Sequence, residues 1–275
     1  MPMQLSANYA DIPRRVVRKV RSQRRHVAAA RMCCERNLMA ISRRSPRVAQ
    51  SRILAYHAVG TPYMGNNDLA PRRFRRQLES ALEAGYEFVP ASEIVDGRAP
   101  AKSLAITFDD GIRSAATTAA PVLAELGIPW TLFVVSGWAD GDARAWAGDI
   151  MMEWSEIERL ASQGVRIGSH SVTHPNFSTI DAGQTAFELE ESRRAIESRL
   201  GMDVEEFAIP FGQSRDWNEQ AAKTAADVGY THVYSQAEDS RFPGTIARTF
   251  ITRWDNDRVF RSALSGVFAG WEEWY

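Results

Sequence analysis

Short apolar runs alternate with longer segments of helical periodicity from residue 53 onwards. The apolar runs predict strands at residues 53–56, 86–89, 104–108, 130–135, 165–167, 207–209, 232–234 and 246–252. The helical segments lie at residues 74–82, 112–126, 154–161, 186–200, 217–228 and 259–264. Strands separated by helices of this length form a parallel sheet with the helices outside it. Seven or so such units in about 220 residues suit a (β/α) barrel, complete or distorted, better than two smaller domains.

Charge divides the chain near the same position. Residues 1–52 contain 13 Lys and Arg residues against two acidic ones, whereas residues 53–275 contain 20 basic and 32 acidic residues. We therefore predict a basic N-terminal arm at 1–52, helical or disordered, and one domain at 53–275. The acidic body is not a nucleic-acid binder by charge. Three locations of the arm are open: on anionic lipid, folded back on the acidic body, or solvated and disordered.

The sequence also carries a prediction of location. No apolar run approaches the roughly 20 residues needed to span a bilayer, and the first residues lack the apolar core of a secretion signal. The two cysteines, Cys33 and Cys34, are adjacent in sequence, and neighbours rarely satisfy disulfide geometry. We expect a cytoplasmic protein, with the basic arm as a candidate for peripheral contact with the inner face of the membrane.

Acidic and histidine side chains directly follow two of the predicted strands. Asp109 and Asp110 follow one strand, and His170 and His174 follow another. Because the carboxyl ends of barrel strands share one face, these side chains are expected to converge. Two histidines and a carboxylate form a facial metal site with open positions for water and substrate. The second carboxylate is explained as a general base, since two adjacent buried acids otherwise repel each other.

Each motif alone has a simpler explanation. An Asp-Asp-Gly sequence is commonly a turn, and two histidines four residues apart commonly lie on a solvated helix face. Both motifs occur at the carboxyl ends of predicted strands, and Gly168 and Pro175 indicate a constrained loop around the histidines. The combination favours a divalent-metal site, most simply Zn, with Co, Ni or Fe as alternatives.

Three motifs carry a resemblance to a known family. They are Thr-Phe-Asp-Asp-Gly at 107–111, Ser-His-Ser-Val-Thr-His-Pro at 169–175 and Phe-Ala-Ile-Pro-Phe-Gly at 207–212. In order and spacing they resemble the first three signature motifs of the polysaccharide deacetylase family (NodB homology, carbohydrate esterase 4). The segment Leu-Gly-Ile-Pro-Trp-Thr-Leu-Phe-Val at 126–134 agrees as well, and the likeness extends over about residues 53 to 270.

The resemblance implies a distorted (β/α) barrel and metal-assisted removal of an N-acetyl group from an acetamido sugar. By position, Asp109 is the general base, and the metal ligands are Asp110, His170 and His174. Pro210, Phe211 and Gly212 line the acetyl pocket and hold the oxyanion. Because proline has no amide hydrogen, the oxyanion donor is expected to be the backbone N–H of Phe211.

Two family features are missing from this sequence. No histidine follows His232, although the family places a histidine that acts as the general acid near the carboxyl end. Val204-Glu205-Glu206 occupy the positions where an arginine normally precedes the third motif. We expect Arg248 or Arg253 to orient Asp109 instead. We expect His57 to protonate the leaving amine, because the first and last strands of a closed barrel are neighbours.

The role of His57 rests on a second resemblance. A Tyr-His pair on the first strand is similar to the arrangement in poly-N-acetylglucosamine deacetylases, whose motif order is circularly permuted. The alternative is a histidine packed under the loops of the active face.

The substrate is expected to be an N-acetylated saccharide or glycolipid, a precursor of an envelope or exported polysaccharide. Trp138 and Trp254 follow strands on the active face and are candidate sugar contacts, although most tryptophans are packing residues. Two alternatives stay open, an O-acetyl esterase acting on carbohydrate and a non-catalytic carbohydrate-binding barrel. An intact Asp109 beside Asp110 argues against the second.

Overall fold

A computed structural model describes residues 27, 29–41 and 51–272 of the chain. The strands are β1 Arg52–Tyr56, β2 Ala58–Val59, β3 Asp68–Leu69, β4 Glu87–Phe88, β5 Ser103–Phe108, β6 Trp130–Val134, β7 Arg166–Ser169, β8 Glu206–Ala208, β9 His232–Tyr234 and β10 Thr249–Phe250. The helices are α1 (residues 29–41), α2 Pro71–Glu83, α3 Ala91–Val95, α4 Ala120–Glu125, α5 Ser136–Ala139, α6 Arg144–Ala147, α7 Trp154–Ser162, α8 Ala182–Leu200, α9 Glu219–Val228 and α10 Asp257–Leu264.

The main sheet is parallel and curls into the predicted distorted barrel. Its order is β10-β1-β5-β6-β7-β8-β9, with β4 added beside β5. The first and last strands pair, as predicted, through Leu54 with Thr249 and Ala55 with Phe250. A single bridge, Tyr234 to Ile246, joins β9 to the segment that leads into β10. The barrel is distorted at this seam.

The last strand is shorter than the sequence predicts. The predicted strand 246–252 bridges β9 at Ile246 and joins β1 only at Thr249 and Phe250. The segment changes partners between these points, and Arg248 lies there with its side chain fully buried. The short helices α3, α5 and α6 and the small sheet of β2 and β3 also lie outside the sequence-based prediction.

Period-two alternation along the strands aims the functional residues at the barrel centre. Ile53, Ala105 and Phe133 pack together inside the barrel, and α3 covers the amino-terminal end of this cluster. Continuing the alternation from Ile53 and Ala105 brings His57 and Asp109 onto the same inward side. Gly168 has no side chain because a Cβ there would lie 2.5 Å from the Phe133 ring.

Helix α1 packs on the barrel through one buried arginine. The Arg36 guanidinium donates to both carboxylate oxygens of Asp255, at 2.8 and 2.6 Å, and to the carbonyl oxygen of Phe250. It also lies 4.3 Å from the centroid of the Phe268 ring and 4.9 Å from that of Trp271. Part of the predicted arm therefore contacts the domain closely, and the boundary at residue 52 stays a prediction. Among the helices of residues 27, 29–41 and 51–272, none has the length and apolar character to cross a bilayer.

Candidate active site

Asp110, His170 and His174 meet at the carboxyl-terminal face of the barrel. Asp110 Oδ1 lies 3.4 Å from Nε2 of His170 and 3.4 Å from Nε2 of His174. The three ligand atoms all lie within 4.8 Å of one another. Two ligand atoms at about 2.0–2.1 Å from a tetrahedral zinc ion are separated by about 3.3 Å, so the spacing suits one ion.

The hydrogen bonds leave the ligand atoms free to bind an ion. His170 Nδ1 lies 2.7 Å from the carbonyl oxygen of Ala208, an acceptor, which places the proton on Nδ1 and leaves the Nε2 lone pair available. Asp110 Oδ1 and His170 Nε2 are buried and have no hydrogen-bond partner in the described part of the chain. Buried polar atoms are rarely left unpaired. These residues therefore fit a divalent cation.

Asp109 is held by a buried ion pair. Arg248 donates from its two terminal nitrogens to Oδ1 and Oδ2 of Asp109, at 2.7 and 2.8 Å. Both side chains are fully buried, and Arg248 also donates to Ser235 O and Thr107 Oγ1. Of the two arginines considered from sequence, Arg248 makes the pair, whereas Arg253 donates to Gly65 O on an exposed loop.

The electrostatics keep both carboxylates charged. Burial raises the pKa of Asp109, but the charge and hydrogen bonds of Arg248, together with the charges of His170 and His57, outweigh burial and the pKa lies below its usual value. Burial likewise opposes ionisation of Asp110, but the neighbouring imidazoles of His170, His57 and His174 hold its pKa well below the usual range. Burial lowers the pKa of His174 to about 4. The ligand set is thus an anionic carboxylate with a neutral His174 at pH 7.

Backbone strain is concentrated in this site. In the described part of the chain, the non-glycine residues with positive φ are Asp110, Ser171, His174 and Phe211, at 61 to 71°. Such conformations cost about 1–3 kcal/mol each and persist where surrounding contacts enforce them. One enforcing contact is Glu188 of α8, fully buried, which accepts hydrogen bonds from the N–H groups of Val172 and Thr173.

His57 lies at the same centre. It is buried, and its charge contributes to the pKa values of Asp109, Asp110 and His174. Gln236 Nε2 lies 3.5 Å from His57 Nε2, whereas Nδ1 of His57 is buried without a partner. The His57 ring also packs edge-on against Phe250 of β10, the neighbouring strand.

The third motif forms a tight turn beside His174, one of the candidate metal ligands. Phe211 is partly exposed, and its ring lies edge-on to His174 at 4.7 Å between centroids. Gly212 N–H donates to Pro210 O, and a Cβ at Gly212, where φ is +69°, would lie 2.7 Å from the backbone nitrogen of Gln236. Only glycine fits this position. The turn carries the Phe211 ring to His174, and the place of Phe211 in an acetyl pocket stays a prediction.

Aromatic rings extend outward from the ligands on one side. Trp138 stacks on His174 at 5.4 Å with an interplanar angle of 23°, and the exposed Trp146 lies edge-on to Trp138 at 5.2 Å. Trp254, the other candidate sugar contact, instead donates to Asn66 Oδ1 and lies under Arg253. The structure thus brings Trp138 to His174 of the candidate metal site, while sugar contacts at Trp138 and Trp254 stay predictions.

Two residues in this site were not found from the sequence. Glu188 looks like any other acid in a charged helix, and no pattern indicates that it shapes the histidine loop. Gln236 lies in an irregular segment after β9 and has no motif of its own. Only the three-dimensional contacts identify them.

Comparisons with known proteins agree with this geometry. The polysaccharide deacetylase family model matches residues 96–233, half of the chain. YxkH of Bacillus subtilis is 25% identical over 193 residues, 68% of this chain and 64% of that protein. A chitooligosaccharide deacetylase of Sinorhizobium fredii is 28% identical over 136 residues, 49% of this chain and 57% of that enzyme. The chain thus spans less than two thirds of the length of either relative.

A solved structure shows the same fold. IcaB from Ammonifex degensii superposes with a TM-score of 0.67 at 24% identity, covering 79% of this chain and 98% of that one. Together with the family match, the barrel and its site define the class of protein. The chain belongs to the polysaccharide deacetylase family.

Proposed function

We propose that this protein is a divalent-metal-dependent hydrolase that removes N-acetyl groups from an acetamido sugar in a saccharide or glycolipid. The observation that carries the proposal is the pair of unpartnered, buried atoms Asp110 Oδ1 and His170 Nε2 beside a charged Asp109. Family membership and a chitooligosaccharide deacetylase among the relatives support the reaction class.

Asp110, His170 and His174 would hold the ion, most simply Zn, with Co, Ni or Fe as alternatives. When bound, the ion supplies Lewis acidity to the acetyl carbonyl and to the attacking water. His174 is neutral, and the hydrogen bond to Ala208 sets the tautomer of His170. One ring nitrogen of each histidine can therefore bind the ion without first losing a proton.

The remaining steps belong to the chain's own groups. Asp109, charged and fixed by Arg248, accepts the proton of the attacking water. The backbone N–H of Phe211 donates to the oxyanion that develops on the acetyl oxygen. His57 then protonates the departing amine from Nδ1, the ring nitrogen without a partner. Trp138 and Trp146 offer ring faces beside the ligands for a sugar.

The test combines metal analysis with acetate release from N-acetylated saccharides. Metal-stripped protein should be inactive, and zinc should restore release of acetate from an acetamido sugar in proportion to the zinc bound. Activity that survives complete metal removal would refute the proposal. Cleavage of acetylated xylan with none of acetamido sugars would instead establish the O-acetyl esterase, because the two reactions share the oxyanion site. Binding of saccharides without acetate release would establish the non-catalytic barrel.

A further inference from the structure

Helix α1 has a second face that the barrel does not cover. Opposite Arg36, the side chains of Val27, Leu38 and Ile41 are 68, 64 and 63% exposed, and Ala30 and Cys34 between them are exposed as well. Residue 27 is helical too, so the spacing of three or four residues aligns all five on one side of the helix. We refer to these five side chains as the apolar stripe.

The apolar stripe differs from ordinary scattered surface hydrophobics. Val27, Leu38 and Ile41 are the three most exposed large hydrophobic residues in the described part of the chain; Leu38 and Ile41 lie on α1, and Val27 is a helical residue just before it. Single exposed apolar residues are normal, whereas a contiguous exposed group marks a binding surface. Packing of Arg36 fixes the orientation of α1, so the stripe faces away from the barrel.

Basic residues lie near the apolar stripe. On α1 the exposed Arg31 is paired with Glu35, and Asn37 accepts a hydrogen bond of 2.9 Å from Asn256 at the start of α10. Beyond Asn256 lies a surface hollow lined by Arg73, Arg76, Asn256, Asp257 and Arg258. The sequence around the helix adds to this charge, since residues 1–52 contain 13 basic and two acidic residues.

We propose that the apolar stripe of α1 binds the interface of an anionic phospholipid bilayer, with the surrounding arginines against the lipid headgroups. An apolar face flanked by arginines is the pattern of a helix that lies in the plane of a membrane surface. At 13 residues, α1 is about 20 Å long, too short to cross a bilayer. A second copy fits less well, because it would bring two strongly basic segments together, whereas anionic lipid supplies the opposite charge.

This contact also orients the barrel. Asp255, the partner of Arg36, follows the carboxyl end of β10, the end of the barrel that carries the metal ligands. A bilayer bound along the apolar stripe therefore lies beside the rim of the active face.

The test is flotation of the full chain with vesicles of phosphatidylcholine, with or without phosphatidylglycerol. The wild-type protein should float with the anionic vesicles and dissociate as salt is raised. Leu38→Glu/Ile41→Glu should weaken binding at least about tenfold, the factor that burial of one large apolar side chain supplies. Leu38→Ser/Ile41→Ser removes the apolar groups without adding charge and should also weaken binding.

A matched control separates the stripe from general charge effects. Phe187→Glu/Met202→Glu adds the same charge at exposed apolar residues on and just after α8, and it should keep binding within about twofold. Equal losses in both Glu variants, or wild-type flotation of the Ser variant, would overturn the proposal. So would a dimer in solution that the Ser variant abolishes while vesicle binding is absent, because a second copy would then occupy the stripe. Thermal melting verifies that each variant is folded.

Discussion

Two regions of the molecule contain a fully buried arginine–aspartate pair joined by two hydrogen bonds of similar length. In the candidate active site, Arg248 donates hydrogen bonds to both carboxylate oxygens of Asp109, at 2.7 and 2.8 Å. Between helix α1 and the barrel, Arg36 donates hydrogen bonds to both carboxylate oxygens of Asp255, at 2.8 and 2.6 Å. Each arginine also donates to a backbone carbonyl and lies near two aromatic rings. The pairs alone do not indicate which region is catalytic.

The difference lies in what surrounds each pair. Asp255 also accepts hydrogen bonds from the N–H and hydroxyl groups of Thr252, so that carboxylate is fully engaged in holding the structure. Asp109 instead stands beside Asp110, whose Oδ1 has no partner and whose φ is positive. A buried ion pair can stabilise the fold or position a functional side chain. The unpartnered atoms and strained backbone next to it identify the functional site.

The largest effect that tests this comparison is loss of a metal ligand. Asp110→Ala, His170→Ala and His174→Ala should each lose both bound metal and measurable deacetylation, because two remaining donors cannot fix the ion. Metal content per chain and acetate release check this. Full metal occupancy in His174→Ala would contradict the ligand assignment.

Removal of the base should separate catalysis from metal binding. Asp109→Asn keeps the shape of the side chain but loses the charge, so turnover should fall about 10²–10⁴-fold with the metal retained. The comparison variant is Asp255→Asn, which makes the same change in the other pair and should leave turnover per folded molecule unchanged. Equal turnover losses in the two variants would show that the pairs do not differ in function.

The acid assigned to His57 should show a dependence on the leaving group. His57→Gln should retain metal and lose about 10² in hydrolysis of an acetamide, because the amine must leave protonated. An activated aryl acetate, whose leaving group needs no proton, should be cleaved nearly as fast as by the wild type. Equal losses on both substrates would remove His57 as the acid.

Much of the fold and the centre of the site could be predicted from the sequence. Period-two alternation and the carboxyl-end rule locate Asp109, Asp110, His170 and His174 because chain order alone decides which end of a parallel strand they follow. The adjacency of β1 and β10, on which the argument for His57 depends, follows from barrel closure and is observed.

Other features depend on contacts that no sequence pattern records. From the sequence, Arg248 on the last predicted strand and Arg253 directly after it are equally good candidates, and only the switch of partners between Ile246 and Thr249 directs Arg248 inward. Likewise, the composition of residues 1–52 is that of a solvated basic arm. One residue within it, Arg36, meets a buried acid 219 positions away. Long-range pairing of single charged residues leaves no periodic signal in the sequence.

Arg248 should act on pH dependence as well as on rate. Without the charge and hydrogen bonds of Arg248, burial of Asp109 is opposed only by the smaller effects of His170 and His57, so Arg248→Met should raise the pKa of that carboxyl. The base is active only when deprotonated, and the acid limb of the pH–rate profile should therefore move to higher pH. At neutral pH, activity should fall about 10–100-fold, as for lost partners of a catalytic group. An unshifted acid limb would show that Arg248 does not set the charge of Asp109.

The ionisation of Asp109 also makes the free energy of unfolding depend on pH, with a sign that follows from the direction of its pKa shift. In the wild type the folded pKa of Asp109 lies below that of the unfolded chain, so its ionisation stabilises the fold above about pH 3.9 and the gain is lost as the pH falls. In Arg248→Met the sign should reverse, and the folded variant should lose stability as the pH rises through the raised pKa. Denaturant unfolding between acid and neutral pH measures this slope.

The smallest effect on activity is expected from the corresponding change in the other pair. Arg36→Met leaves Asp255 buried without its cation, which should lower the free energy of unfolding by about 3–5 kcal/mol. Because Arg36 does not contact the metal ligands, kcat and the pH profile of the folded protein should match the wild type well below the melting temperature. Adding Asp255→Asn removes the uncompensated charge and should recover part of the lost stability, a coupling that a double-mutant cycle measures. A loss of stability below about 1 kcal/mol in Arg36→Met would mean that α1 is not held on the barrel in solution, since an exposed ion pair contributes no more than that.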